Sequence, residues 1–295
     1  MNSSAVPTGQ NPLQTAKNYL ELVKFSHTIF ALPFALASML VAAQGFPGWR
    51  VFAWILAAMI GARTAAMGFN RIVDRQIDAQ NPRTANRELP AGKVSLRGAI
   101  ALVMLASLLF FFACFQLNSL ALVLAPVTLL TLFFYSFCKR FTSFSHFVLG
   151  LCLGIAPVGA WVAVTGQIAL APCVLCAAIL LWVAGFDIIY ATMDIEFDRQ
   201  ANLHSMVRKL GVPRALGFAK VLHAGFLALL FAFGTLAQLG PVFTLATCLI
   251  AAFLIYEHAL VRPDDLRRVN AAFFTVNGAI SVFFLVVVAG IVAWK

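Results

Sequence analysis

The sequence predicts an all-α transmembrane protein, and three observations carry that expectation. Of its 295 residues, 62% are hydrophobic and only 11% charged, whereas soluble chains carry about 25% charged residues. The apolar residues gather into runs long enough to cross a hydrocarbon core, which takes roughly 17 to 25 residues per helix. The basic residues gather at alternate ends of those runs, as cytoplasmic loops require.

In chain order the expected spans are 20–43, 49–69, 98–116, 118–137, 145–164, 170–190, 215–237, 241–260 and 270–293, a nine-helix bundle around a central cavity. Residues 1–19 are expected to form a polar N-terminal segment and 20–295 a single transmembrane domain. Residues 1–16 lack the basic-then-apolar layout of a cleavable signal, so the first span is expected to be retained. With the N-terminus cytoplasmic and the C-terminus outside, every one of the 21 basic residues except Arg50 and Lys295 falls on, or nearer to, the cytoplasmic side, and the acids follow them. The opposite face has short links such as Leu117-Asn118 and Gln238-Leu239-Gly240. The net charge of +10 therefore reflects orientation rather than a nucleic-acid partner. Cys173-x-x-Cys176 has no second pair and no nearby His, and is read as small membrane residues. His146, His223 and His258 are expected to be structural, and His27 and His204 are isolated.

Two stretches at the ends of apolar runs echo one another: Asn70-Arg-Ile-Val-Asp74-Arg-Gln-Ile-Asp78 and Tyr190-Ala-Thr-Met-Asp194-Ile-Glu-Phe-Asp198. Both pairs are offset by 120 residues, and four spans separate them, so both emerge on the same side. Residues four apart share a helix face. Asn70, Asp74 and Asp78 thus form a ladder, advancing about 40° and rising about 6 Å per step. Mg²⁺ is commonly held by one or two carboxylates, with substrate phosphates and water completing the shell. Four acids focused together without a cation would repel or shift their pKa values, so a divalent metal and a polyanion suit this pattern.

Asp187 and Arg63 lie deeper on roughly the same faces, and ionisable groups inside a membrane are functional candidates by default. Arg63 could hold a phosphate or carboxylate with two parallel hydrogen bonds. Lys139 and Arg140 end the fourth span, where they either anchor the helix or neutralise a diphosphate. There is no GxxxxGK[ST] phosphate loop, which disfavours an ATP-driven pump. Asn81-Pro82-Arg83 and Leu89-Pro90-Ala91-Gly92 break the helix after the first motif, and the loops 79–97 and 199–214 are long enough to act as lids.

The motifs NxxxDxxxD and DxxYxxxDxxxD resemble those of the UbiA superfamily of intramembrane prenyltransferases. The flanks agree: Lys24-Phe25 through Leu32-Pro33-Phe34, Asn81-Pro82-Arg83-Thr84, and Tyr135 through Lys139-Arg140-Phe141-Thr142. The resemblance covers roughly 20–290 and is strongest to 4-hydroxybenzoate polyprenyltransferases. The segments around Lys24 and Leu203-His204-Ser205 also resemble the branch linked to a naphthoate acceptor such as 1,4-dihydroxy-6-naphthoate, so the acceptor stays open.

The resemblance implies a bacterial-type inner-membrane enzyme with its site on the cytoplasmic side. Asn70, Asp74, Asp78, Asp194 and Asp198 would hold Mg²⁺ against the diphosphate of a polyprenyl donor. Lys24, Arg63, Arg71, Tyr135, Lys139, Arg140, Asp187 and Tyr190 would bind substrate, and an aromatic hydroxy acid would be the second partner. Two other readings of the residues predict different chemistry: a cation-coupled transporter needs ionisable groups at the midplane and access from both faces, and a lipid diphosphate phosphatase needs a nucleophile or activated water that neither motif singles out.

Overall fold

The computed structural model describes residues 11–24 and 29–294. Phe25, Ser26, His27, Thr28 and Lys295 lie outside the described residues, so the part of the Lys24–Phe34 resemblance that falls on them has no structural counterpart here.

The helices in order are α1 Pro12–Leu22, α2 Leu32–Ala43, α3 Trp49–Gln80, α4 Leu96–Leu117, α5 Ser119–Cys138, α6 Ser145–Thr165, α7 Leu170–Ala191, α8 Ile195–Gln200, α9 Met206–Leu210, α10 Val212–Leu236, α11 Gly240–Leu260, α12 Val269–Ala271 and α13 Asn277–Trp294. A π-turn over Ala272–Val276 joins α12 to α13. Among the described residues eight helical segments are long and apolar enough to cross a membrane, and the protein is a multi-pass membrane protein. Their outer faces carry exposed Leu105, Leu108, Leu130, Ile255 and Val286, as lipid-facing surfaces do.

The first expected span, 20–43, is not one helix. The α1 helix stops at Leu22 and Lys24 takes a left-handed backbone, φ 47°. The α2 helix begins at Leu32, where Pro33 occupies the first turn. Proline cannot donate a backbone hydrogen bond and is tolerated at a helix start, so Pro33 marks the beginning of a short helix and not the interior of a span. At 12 residues α2 is about 18 Å long, short of a hydrocarbon core of about 30 Å. The α1 helix also crosses the boundary expected at residue 19, and its last residue, Leu22, is buried against Val94 and Ala99.

The closest packing joins α3 with α4, α6 with α7, and α7 with α10. Small residues make the α6–α7 approach possible: a Cβ on Gly150 would lie 2.3 Å from the Leu180 carbonyl oxygen, and one on Gly154 would lie 2.6 Å from that of Cys176. This GxxxG pattern brings helix backbones together where lipid supplies no hydrophobic drive. The α7 helix is thereby surrounded, and its Trp182 and Phe186 pack with Phe30, Phe34, Phe226 and Phe273 into the main aromatic core.

Candidate active site

The α3 helix, at 32 residues, is about 48 Å long, so its last turns stand beyond a hydrocarbon core of about 30 Å and carry the first acid motif. The Asn70 amide donates to Asp74 Oδ2 at 3.0 Å. Arg140, just past α5, donates to Asp74 Oδ1 at 3.0 Å and to the Val73 carbonyl at 3.0 Å. One turn later Asp78 is buried; its Oδ1 accepts from Arg87 at 2.7 Å, while Oδ2, 3.9 Å from Arg71, has no hydrogen-bond partner. Arg71, expected to neutralise diphosphate, is only 4% exposed, and its Nε donates to the Leu22 carbonyl at 3.3 Å. Its guanidinium therefore ties α1 to α3 and backs Asp78.

The second motif departs from a single ladder. The α7 helix ends at Ala191, and a 3₁₀ turn over Thr192–Asp194 precedes α8. The Thr192 hydroxyl donates back to the Ile189 carbonyl at 2.7 Å, a bond of the kind that bends helices. A 3₁₀ turn winds faster than an α-helix, so Asp187 and Asp194 do not keep the shared stripe expected from a seven-residue spacing. Asp187 instead meets His146 of α6: Nδ1 lies 2.6 Å from Asp187 Oδ2, while the Met206 N–H donates to Nε2. That second bond makes Nε2 the acceptor and leaves the proton on Nδ1, facing the carboxylate. His146, expected to be merely structural, thus orients a carboxylate of the predicted site.

Arg83, absent from the site residues expected from the sequence, links the turn after the first motif to the second. From the Asn81-Pro82-Arg83 turn it forms a bidentate pair with Asp194, with Nε to Oδ1 at 2.8 Å and Nη2 to Oδ2, and its Nη1 donates to the Tyr190 hydroxyl at 2.9 Å. Burial works against this charge, but the hydrogen bonds and charge of Asp194, with Tyr190 in support, outweigh it and hold the guanidinium above its ordinary pKa. Lys139 acts electrostatically on both Asp74 and Asp198. The two motifs therefore face one basic cluster. The signals available in the sequence were the helix-breaking proline beside Arg83 and the length of the loop.

Beneath this cluster a cavity of about 480 Å³ is lined mostly by apolar side chains of α3, α5 and α6, with Arg63, Asn70 and Tyr135 as its conspicuous polar groups. Arg63 donates from Nη2 to the Lys24 carbonyl at 2.8 Å, and its buried Nε has no partner. Lys24 thus meets the site through its backbone oxygen. Tyr135 interacts electrostatically with both Asp187 and Asp74.

The UbiA prenyltransferase family profile matches residues 31–289. The chain belongs to the UbiA prenyltransferase family. This UbiA protein is 29% identical over 267 residues to the 4-hydroxybenzoate octaprenyltransferase of Vibrio parahaemolyticus, covering 90% of this chain and 94% of that one. It is 32% identical over 250 residues to that of Tolumonas auensis, covering 85% and 87%. Among solved structures it is similar to the apo form of a UbiA homolog from Aeropyrum pernix, at 38% identity and TM-score 0.79, covering 88% of this chain and 95% of that one. A UbiA homolog from Archaeoglobus fulgidus bound to GPP and Mg²⁺, 20% identical, shares the fold at TM-score 0.75 over 94% of this chain and 99% of that one. The UbiA chain is accordingly an enzyme of prenyl transfer.

The acids of this UbiA site suit Mg²⁺ by donor type. No three His, Cys, Asp or Glu side chains converge on one metal position among the described residues. Mg²⁺ is commonly held by one or two carboxylates and completed by phosphate and water. Asp78 Oδ2, buried and without a hydrogen bond, is a free oxygen donor of the kind such an ion takes.

Proposed function

We propose that this protein transfers a polyprenyl group from a polyprenyl diphosphate to an aromatic hydroxy acid of the 4-hydroxybenzoate type, with Mg²⁺, in quinone biosynthesis at the cytoplasmic face of a bacterial inner membrane. The observation that carries the reading is the position of Arg83: it ties the turn that follows one acid motif to Asp194 and Tyr190 of the other, above an apolar cavity. A charged headgroup and a greasy tail would each find their own surroundings there.

Asp74, Asp78, Asp194 and Asp198, with Asn70, form the metal-binding set. Bound Mg²⁺ supplies a Lewis acid at the diphosphate oxygens, where negative charge develops as the allylic C–O bond breaks. Arg140, Arg87 and Arg83, now spent on Asp74, Asp78 and Asp194, are within reach to turn towards phosphate once those carboxylates take the metal, and Lys139 adds a fourth positive charge. The diphosphate leaves with the bonding electron pair. The ring carbon ortho to the phenolic hydroxyl attacks the allylic cation, and loss of its proton restores aromaticity. Cavity walls from α3, α5 and α6 exclude water from that cation. Arg63, half-buried with an unpaired, buried Nε in the cavity lining, suits the acceptor's carboxylate, and Tyr135 lines the same cavity.

The test is to incubate membranes with Mg²⁺, a polyprenyl diphosphate and either 4-hydroxybenzoate or 1,4-dihydroxy-6-naphthoate, identifying the product by mass. Prenylated hydroxybenzoate is expected, and a product formed only from the naphthoate would move the acceptor to the menaquinone route. Asp74→Ala and Asp194→Ala should each abolish product while the protein stays folded in detergent; full activity in both would overturn the assignment.

A further inference from the structure

A second cavity, more polar and of about 470 Å³, lies beside the acid site, between the turn that follows α5 and the segment around α9. Its walls include Phe141, Thr142, Phe144, His204, Arg208 and Lys209, and no Asp or Glu. Lys209 Nζ sits 5.8 Å from the Phe144 ring centroid, a cation–π contact. The Arg208 guanidinium is fixed by two neutral acceptors, the Leu203 carbonyl at 2.7 Å and Asn202 Oδ1 at 2.9 Å. Among the described residues the salt bridges that form involve neither Arg208 nor Lys209. Two adjacent positive charges therefore share one concavity with no acid to compensate them.

The surroundings say which anion fits. The His204 N–H donates to the Lys139 carbonyl at 2.8 Å, so the cavity stands at the same end of the bundle as the acid motifs, where the spanning helices meet water. Leu130, Phe134 and Phe137 form an exposed stripe along α5 at helical spacing, and Phe141 continues it to the cavity mouth, its ring 5.9 Å from that of Phe134. Exposed aromatics at this level mark a membrane interface, and basic pockets beside spanning helices take anionic headgroups. A soluble phosphate would use the cations and leave the aromatic stripe idle. We propose that this cavity binds an anionic phospholipid, with the phosphodiester against Lys209 and Arg208 and the acyl chains along the α5 phenylalanines.

The proposal concerns lipid retention and not prenyl transfer, so the experiment reads binding. Full-length protein in detergent is offered equimolar phosphatidylglycerol and phosphatidylcholine of identical acyl chains, and retained lipid is counted by native mass spectrometry. Wild type should favour phosphatidylglycerol. Lys209→Gln, at an exposed position, should lower that retention about fivefold, the weight of one basic residue beside an anionic headgroup, and Lys209→Arg should restore it. Equal retention of the two lipids, or an unchanged preference in Lys209→Gln, would overturn the site. Displacement of phosphatidylglycerol by millimolar inorganic phosphate would reassign the cavity to a free anion and overturn the lipid claim.

Discussion

Arg83 does at the scale of one residue what neither motif does alone. Its planar fork meets both oxygens of Asp194 while a third donor reaches Tyr190, a geometry open to a guanidinium and closed to an ammonium. Arg83→Ala should therefore lower kcat/KM about 100-fold, the usual cost of removing one donor aimed at developing charge. Arg83→Lys should recover only part of the loss, because the point charge survives without the fork. Initial rates in isolated membranes decide the matter: wild-type kcat/KM in Arg83→Ala would reduce the bridge to a surface ion pair. The residue types of the candidate site are legible in the sequence because Asn70, Asp74 and Asp78 repeat at the helix period and break a hydrophobic pattern. Their arginine partners are not. Arg83 and Asp194 are 111 residues apart, and no local periodicity encodes which of many loop arginines turns inward.

At the scale of elements, the sequence marks where apolar runs lie but not how closely they approach. The span expected at 170–190 appears as α7 Leu170–Ala191, because a long apolar run broken only by Asp187 leaves no other stable state in lipid. The run at 20–43 carries Glu21, Lys24 and Ser26-His27-Thr28 among its apolar residues, and Pro33 favours a helix start, breaks that a hydropathy average erases. The 3₁₀ turn at Thr192–Asp194 was hidden for a related reason, since a hydroxyl choosing a carbonyl three residues back changes no hydropathy. Helix contact distance depends on small residues, and here a specific outcome follows. Gly150→Val would press its side chain into the Leu180 backbone, since even a Cβ would lie 2.3 Å from the carbonyl oxygen, whereas Gly159, on the same helix, has nothing within 4 Å of that position. Overpacking of this kind costs about 1–3 kcal/mol or more. Gly150→Val should lower the detergent melting temperature by several degrees, with Gly159→Ala unchanged. Equal melting temperatures for the two would show that α6 and α7 can part freely.

For the whole molecule, the arrangement separates two solvents within one site: charges at the end of the bundle and an apolar cavity running inward from them. The cavity lining extends along α3 from Asn70 to Ile55, about 22 Å at the helical rise. On the proposed function a donor's reactive carbon would be fixed by its headgroup and its tail would occupy the space below, which would make tail length a property of the walls. Ala62, on α3 between those limits, lines the cavity, and a phenyl group there would fill space that a long tail needs. With Mg²⁺ and one acceptor, Ala62→Phe should keep most of its activity on a ten-carbon donor and lose about 10- to 100-fold on a forty-carbon one, corresponding to the roughly 1–3 kcal/mol of crowding in a packed interior. Size-exclusion profiles matching wild type would separate this from misfolding. The decisive quantity is the ratio of kcat/KM for the two donors: if both fall together, the phenyl group has damaged the headgroup site, and if neither falls, the tail lies elsewhere and the cavity beneath Asn70 is not its path.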